Sequence, residues 1–373
     1  MARTRVLPLL AAALAAALTG CVSTEGTPGF AVSPKSWNAG VERRGVEPAE
    51  APNPMAATPA IEATALEIGG VGRDEDRLEH LRSALVDGGS WTFEYERNST
   101  FSAADAFEKR RGNCVSFTNL FIAMGRSLGI RLHAALVSTR GTSERQGDLI
   151  VTYNHMIAVY MEVNGRSAKV YDFYRMADQL TGRLTLLDDY MVAAIRASND
   201  GIAHLGKGEL QEAQHDLEIA VKLGPGLGSL YANLGLAKWR NGDVPGALAA
   251  IRKGLEVEPG SPPLLQNLAA LYVEEGKPAE ARAALGALDL RRASPYALIV
   301  RGDLELRAGS PATAIKNYRE AASLDPKLAD PWLAIARAEL ARGRPDAARK
   351  AALKALKRDP SSVEAQNLAN AAR

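Results

Sequence analysis

Two cysteines, Cys21 and Cys114, occur in 373 residues, and the second stands where a thiol can react. It belongs to the run Arg111-Gly112-Asn113-Cys114-Val115-Ser116-Phe117-Thr118-Asn119-Leu120. Asn113 is a good N-cap residue, and Phe117, Leu120, Phe121, Met124 and Leu128 recur at the spacing of a helix with one buried face, which Gly129 stops. The pattern predicts a helix that opens on Cys114, its sulfur turned toward the domain interior. A thiol there meets the positive end of the helix macrodipole, which favours the thiolate, the reactive form.

An imidazole and a carboxylate follow. Ile130 to Val137 reads as a strand, then come a polar loop of about fifteen residues and two further runs, Asn154 to Val163 and Arg166 to Tyr174, on either side of Asn164-Gly165. Asn-Gly between alternating runs is the strongest short hairpin signal, because its tight turn needs positive φ at both central residues. If those two residues are the loop, Val163 pairs with Arg166, Ile157 faces Asp172 and His155 faces Tyr174. Opposing residues share a face, as do alternate residues along a strand, so His155, Ile157, Val170 and Asp172 project from one side of the sheet. His155 and Asp172 are then diagonal neighbours within reach of an imidazole–carboxylate contact.

Over roughly residues 95 to 180 this arrangement resembles the transglutaminase-like superfamily. The resemblance is carried by Gly112-Asn113-Cys114 before an amphipathic helix ending in Leu128-Gly129-Ile130, by Asn154-His155, and by Val170-Tyr171-Asp172. It implies a papain-like α+β domain over residues 65 to 190. Cys114 would be the nucleophile, His155 the general base and acid, and Asp172 the group that orients the imidazole. The thiolate would attack an amide or ester carbonyl, and water or an amine would take the acyl group. Met156 stands where such enzymes often carry an aromatic residue after the histidine. The backbone N–H of Cys114 is the natural first oxyanion donor, and Asn98 is the side chain put forward for the second. Among the histidines, His133, His204 and His215 have no partner pattern, and neither a metal site nor a cofactor is expected.

The first twenty residues read as an address. Arg3 and Arg5 precede an apolar run from Val6 to Ala17, of signal-peptide length and short of the roughly 20 residues that span a bilayer. The run ends in Leu18-Thr19-Gly20-Cys21, which resembles the bacterial lipobox and implies that Cys21 becomes a lipidated N-terminus. Several acyl chains at about 0.8 kcal/mol per buried methylene hold a protein on a membrane without spanning it. Val22 after the cysteine points to the periplasmic face of an outer membrane. Residues 21 to 64, rich in Pro, Gly, Ala, Ser and Thr, read as a flexible tether.

The C-terminal half repeats itself. Gly208, Gly242, Gly276, Gly309 and Gly343 are 34, 34, 33 and 34 residues apart, and Ala213, Ala247, Ala281, Ala314 and Ala348 follow each by five. Pro225, Pro259, Pro326 and Pro360 close four of the five units. This resembles the tetratricopeptide repeat and implies an all-α solenoid over residues 191 to 373, five helix pairs and a capping helix after Pro360. Asn199, Asn233 and Asn267 recur nine residues before the turn glycines of the first three repeats, and such asparagines imply a groove that hydrogen-bonds an extended peptide. Val300 and Ala334 break that ladder.

Composition excludes little else. With 46% hydrophobic and 24% charged residues the chain is ordinary and globular, and 45 Lys and Arg against 43 Asp and Glu leave a net +2, so no basic surface awaits nucleic acid. The expected partners are a membrane, through Cys21, and a protein or peptide in the repeat groove. The expected activity is that of a peptidase, amidohydrolase or acyltransferase. The alternative is a non-catalytic anchored scaffold that works through its repeats.

Overall fold

A computed structural model describes residues 7–8, 30–87, 91–96, 99–137, 143–146, 149–152, 155–161, 167–172, 184–287 and 295–371. Cys21, Asn98, Asn154 and Asn164-Gly165 lie outside the described residues. The chain divides into two compact units, residues 1–142 with 154–225, and residues 143–153 with 226–373.

In the first unit, helices α1 (Pro34–Glu42), α2 (Pro59–Gly69), α3 (Asp74–Val86) and α4 (Ala103–Lys109) precede the central α5 (Cys114–Ser127). The tether expected over 21–64 is therefore folded from Pro34 onward. Trp37 donates from Nε1 to the Ala51 carbonyl at 2.8 Å and stacks on Tyr190, while Val41, Val46, Met55 and Ile61 are buried. These apolar residues keep no single period among the Pro and Ala around them, so periodicity does not reveal them. The predicted α5 has its first residue at Cys114 and its last at Ser127, with Leu128 as its C-cap and Gly129, whose φ is +76°, just beyond. Its burial exceeds the single face expected: every residue from Val115 to Arg126 is buried, because α2, α3, α4 and a sheet all pack on it. The polar residues so enclosed have partners. Ser116 Oγ accepts from the Phe101 N–H at 2.7 Å, Thr118 Oγ1 donates to the Met156 carbonyl at 3.1 Å, and Asn119 Nδ2 donates to the Phe101 carbonyl at 3.1 Å.

The sheet contains β1 (Leu132–Val137). Next in the chain, in place of the expected polar loop, come β2 (Ser143–Gln146) and β3 (Leu149–Thr152), an antiparallel pair that belongs to the second unit. The chain then returns for β4 (His155–Met161), β5 (Ser167–Tyr171) and β6 (Leu184–Leu187), which join β1 in the antiparallel order β5-β4-β1-β6; Leu7–Pro8 pairs with the outer edge of β5. Ala158 stands opposite Tyr171 and Val159 opposite Val170, the register that an Asn164-Gly165 loop dictates.

The helix pairs follow: α6 (Asp189–Lys207) with α7 (Leu210–Leu223), α8 (Gly228–Arg240) with α9 (Val244–Val257), α10 (Pro262–Glu274) with α11 (Pro278–Gly286), α12 (Pro295–Arg307) with α13 (Pro311–Leu324), and α14 (Asp330–Ala341) with α15 (Pro345–Leu356). Helix α16 (Val363–Ala371) closes the array. The ladders now have causes. Each turn glycine has φ between +67° and +84°, open to glycine and strained for other residues, and each ladder alanine is fully buried where two helices cross. The first pair belongs to the first unit and the other four to the second.

Candidate active site

The site begins with a cap. Asn113 Oδ1 accepts the N–H groups of Val115 at 3.0 Å and Ser116 at 3.1 Å, which starts α5 and leaves Cys114 at its first residue, half-buried. Gly112, at φ +151°, must be glycine, because a Cβ there would lie 2.5 Å from Ser116 Cβ and Oγ. Asn113 is held from its other side: its Nδ2 donates to Thr100 Oγ1 at 2.7 Å, and the same oxygen accepts from Asn199 Nδ2 at 3.1 Å. Asn199, expected in a peptide groove, is thus engaged within its own unit and braces the helix that carries Cys114. Nothing local in the sequence marks Thr100 for this role, since its two partners stand 13 and 99 residues away.

His155 opens β4, and Asp172 directly follows β5. His155 Nε2 lies 3.1 Å from Asp172 Oδ2, and the two side chains are 9% and 2% exposed. Cys114 is near enough to act on the imidazole as well. Burial alone would push His155 down, but the hydrogen bonds and negative charge of Asp172 and Cys114 outweigh it and raise the imidazole from 6.5 to about 10. The imidazolium is therefore favoured at neutral pH, between a sulfur and a carboxylate. Of the three candidate residues, His155 and Asp172 stand within ion-pair distance, and Cys114 opens the helix beside them.

The remaining histidines are placed otherwise. His133 on β1 is pushed down to about 4, by burial and then by Arg126 and Arg131, and stays neutral. His204 and His215, which show no partner pattern in the sequence, meet carboxylates in the fold: His204 Nδ1 lies 2.9 Å from Asp216 Oδ2 and His215 Nε2 lies 3.0 Å from Glu50 Oε1. These carboxylates reach them through the tertiary fold, which a local pattern cannot anticipate. Asn233 and Asn267 are buried on α8 and α10 in the second unit. Among the described residues no group of three or more His, Cys, Asp or Glu could hold a metal ion, and no helix is long and apolar enough to cross a membrane.

The family described as the transglutaminase-like superfamily matches residues 62–173, and tetratricopeptide-repeat families match residues 200–262, 238–302 and 305–372. No curated protein matches the chain. Among solved structures it is similar to a thermophilic tetratricopeptide-repeat protein of Thermus thermophilus, at 20% identity over 48% of this chain and 98% of that one, with a TM-score of 0.45. It is also similar to Pseudomonas aeruginosa pilF, at 16% identity over 49% and 89%, with a TM-score of 0.40.

Proposed function

We propose, for a chain that carries a transglutaminase-like domain over residues 62–173 followed by tetratricopeptide repeats over 200–372, that Cys114, His155 and Asp172 form a thiol acyl-transfer site acting on protein or peptide substrates. The observation that carries the reading is the imidazole 3.1 Å from the buried Asp172 carboxylate, with Cys114 near enough to help raise it. The Cys114 thiolate attacks an amide or ester carbonyl carbon, and the carbonyl π pair moves to oxygen. The Cys114 backbone N–H, which the Asn113 cap does not use, is the first donor to that oxyanion. When the tetrahedral intermediate collapses, the leaving group takes the imidazolium proton and an acyl thioester remains on Cys114. Water or an amine then attacks the thioester, His155 accepts its proton, and the thiolate departs. Asp172 keeps the imidazole turned and stabilises its charged form. A positioned acid and base of this kind contributes about 10²–10⁴ in rate.

The repeats hold a protein partner or the substrate, and lipidated Cys21 anchors the chain to the membrane, on the periplasmic face of the outer membrane. The test of the thiol site is alkylation of Cys114 by iodoacetamide at pH 7, in a chain carrying Cys21→Ser so that one thiol is read. His155→Ala is expected to slow labelling about tenfold or more. Equal rates in the two proteins would remove the basis for the site and leave the anchored, non-catalytic scaffold.

A further inference from the structure

Between β1 and β4 the chain leaves the first unit at Thr142, forms the β2–β3 pair inside the second unit, and returns at Asn154. There β3 lies against α8 and α10, the first helices of two consecutive repeats. Those helices differ from α14, the last of the first helices. All residues from Leu230 to Ala237 are buried, as are all from Leu264 to Leu271, so neither helix keeps a wet face. The enclosed stretches include polar side chains: Asn233 is 3% exposed, Gln266 2% and Asn267 0%. On α14, two repeats further along, Trp332, Leu333, Arg337 and Leu340 remain half-exposed. Two strands alone are marginal in water, so β2–β3 must draw support from the helices it lies on.

We infer that the β2–β3 hairpin is an internal ligand of the repeat groove, and that the groove's external partner is an extended polypeptide segment with an apolar centre, like Leu149-Ile150-Val151, which binds by displacing it. Beyond the hairpin lies a cavity of about 200 Å³, lined by Val273, Glu274, Val300, Asp303, Arg307 and Arg337, where an incoming segment can gain a foothold. The hairpin is tied to the chain at both ends and competes at the millimolar effective concentration of a short tether, so it weakens any external ligand without abolishing its site. The inference rests on the repeats and not on the thiol chemistry.

The probe is a fluorescein-labelled peptide of residues 143–153, with a scrambled peptide as control, read by fluorescence anisotropy on the full chain. Replacing residues 143–152 by a Gly-Ser linker of equal length is expected to tighten binding at least tenfold over the unaltered chain. Ile150→Pro, which breaks β3 through its backbone and leaves the repeats untouched, is expected to tighten it in the same direction. Equal binding to altered and unaltered chains, or no preference over the scrambled peptide, overturns the inference. Hydrogen exchange on the unaltered chain reads the docked state without a variant: amides of residues 149–152 are expected to be protected at least a hundredfold, and exchange at coil rates overturns it as well.

Discussion

At the scale of single residues, the site is a set of charges that hold one another. His155 alone, buried as it is, would be neutral near pH 7; Asp172 and Cys114 make it an imidazolium. Its protonated form is favoured by folding, because the folded value of about 10 lies above the ordinary 6.5. The stability it lends is therefore full below pH 6.5 and is lost as pH rises through about 10. Replacing the carboxylate by Asp172→Asn removes the first of the two partners that raise it, so the titration midpoint of the His155 ring, followed by NMR of ¹⁵N-labelled histidine, is expected to move down from about 10. A midpoint unmoved by that substitution would mean that the carboxylate 3.1 Å away does not govern the ring. Met156, the departure from the family pattern, ties β4 to the helix of Cys114 through its carbonyl, which takes the Thr118 hydroxyl.

Among the elements, the turn glycines and their neighbours give predictions of opposite sign two residues apart. Gly208 caps α6 at φ +82°, so Gly208→Ala must hold a side chain in the left-handed region at a cost of about 1 kcal/mol. Gly206 lies inside the last turn of the same helix, where a Cβ meets nothing within 4 Å, so Gly206→Ala is expected to stabilise by about 0.5–1 kcal/mol. Urea midpoints of the two variants should shift in opposite directions, and shifts of the same sign would contradict the backbone argument. Elements such as these were legible because glycine and alanine recur for local reasons, a turn and a crossing. The α5 start and the β4–β5 register were legible for the same cause, an Asn cap signal in one and the Asn-Gly pair between two alternating runs of sequence in the other. What stayed hidden depends on contacts distant in sequence. Strand β2 is Ser-Glu-Arg-Gln, too polar to read as a strand, and β3, though apolar at Leu149-Ile150-Val151, is supported by helices α8 and α10, which begin about 75 residues or more downstream. Likewise Trp37 folds the Pro- and Ala-rich segment through Tyr190, and Asn199 meets Thr100.

For the whole molecule, the sequence motifs and the contacts draw different boundaries. The lipobox-like Leu18-Thr19-Gly20-Cys21 predicts that an alkyne-tagged fatty acid fed to the cells labels the chain, that Cys21→Ala abolishes the label, and that the variant moves from the membrane to the soluble fraction. At the other end, the repeat periodicity begins near residue 191, yet the first helix pair belongs with the thiol domain. Two contacts account for this. Arg126, deep in α5, grips Asp189 at the first position of α6 with bonds of 2.7 and 2.9 Å, the two side chains 3% and 12% exposed, and also donates to the Leu132 carbonyl. Further along α6, Asn199 completes the chain through Thr100 to the cap of the Cys114 helix. A chain cut after Asp188 loses both and leaves a buried guanidinium without its carboxylate, which costs about 3–5 kcal/mol, a large share of a small domain's stability. A chain cut after Pro225 keeps both, and it keeps α7 to cover the inner face of α6. Residues 30–225 are therefore expected to unfold cooperatively in urea and to label at Cys114 within about threefold of the full chain, while residues 30–188 are expected to show no cooperative transition. If the shorter piece unfolds and labels like the longer one, the first helix pair is an ordinary repeat, and the brace from Asn199 to Asn113 does nothing for the site.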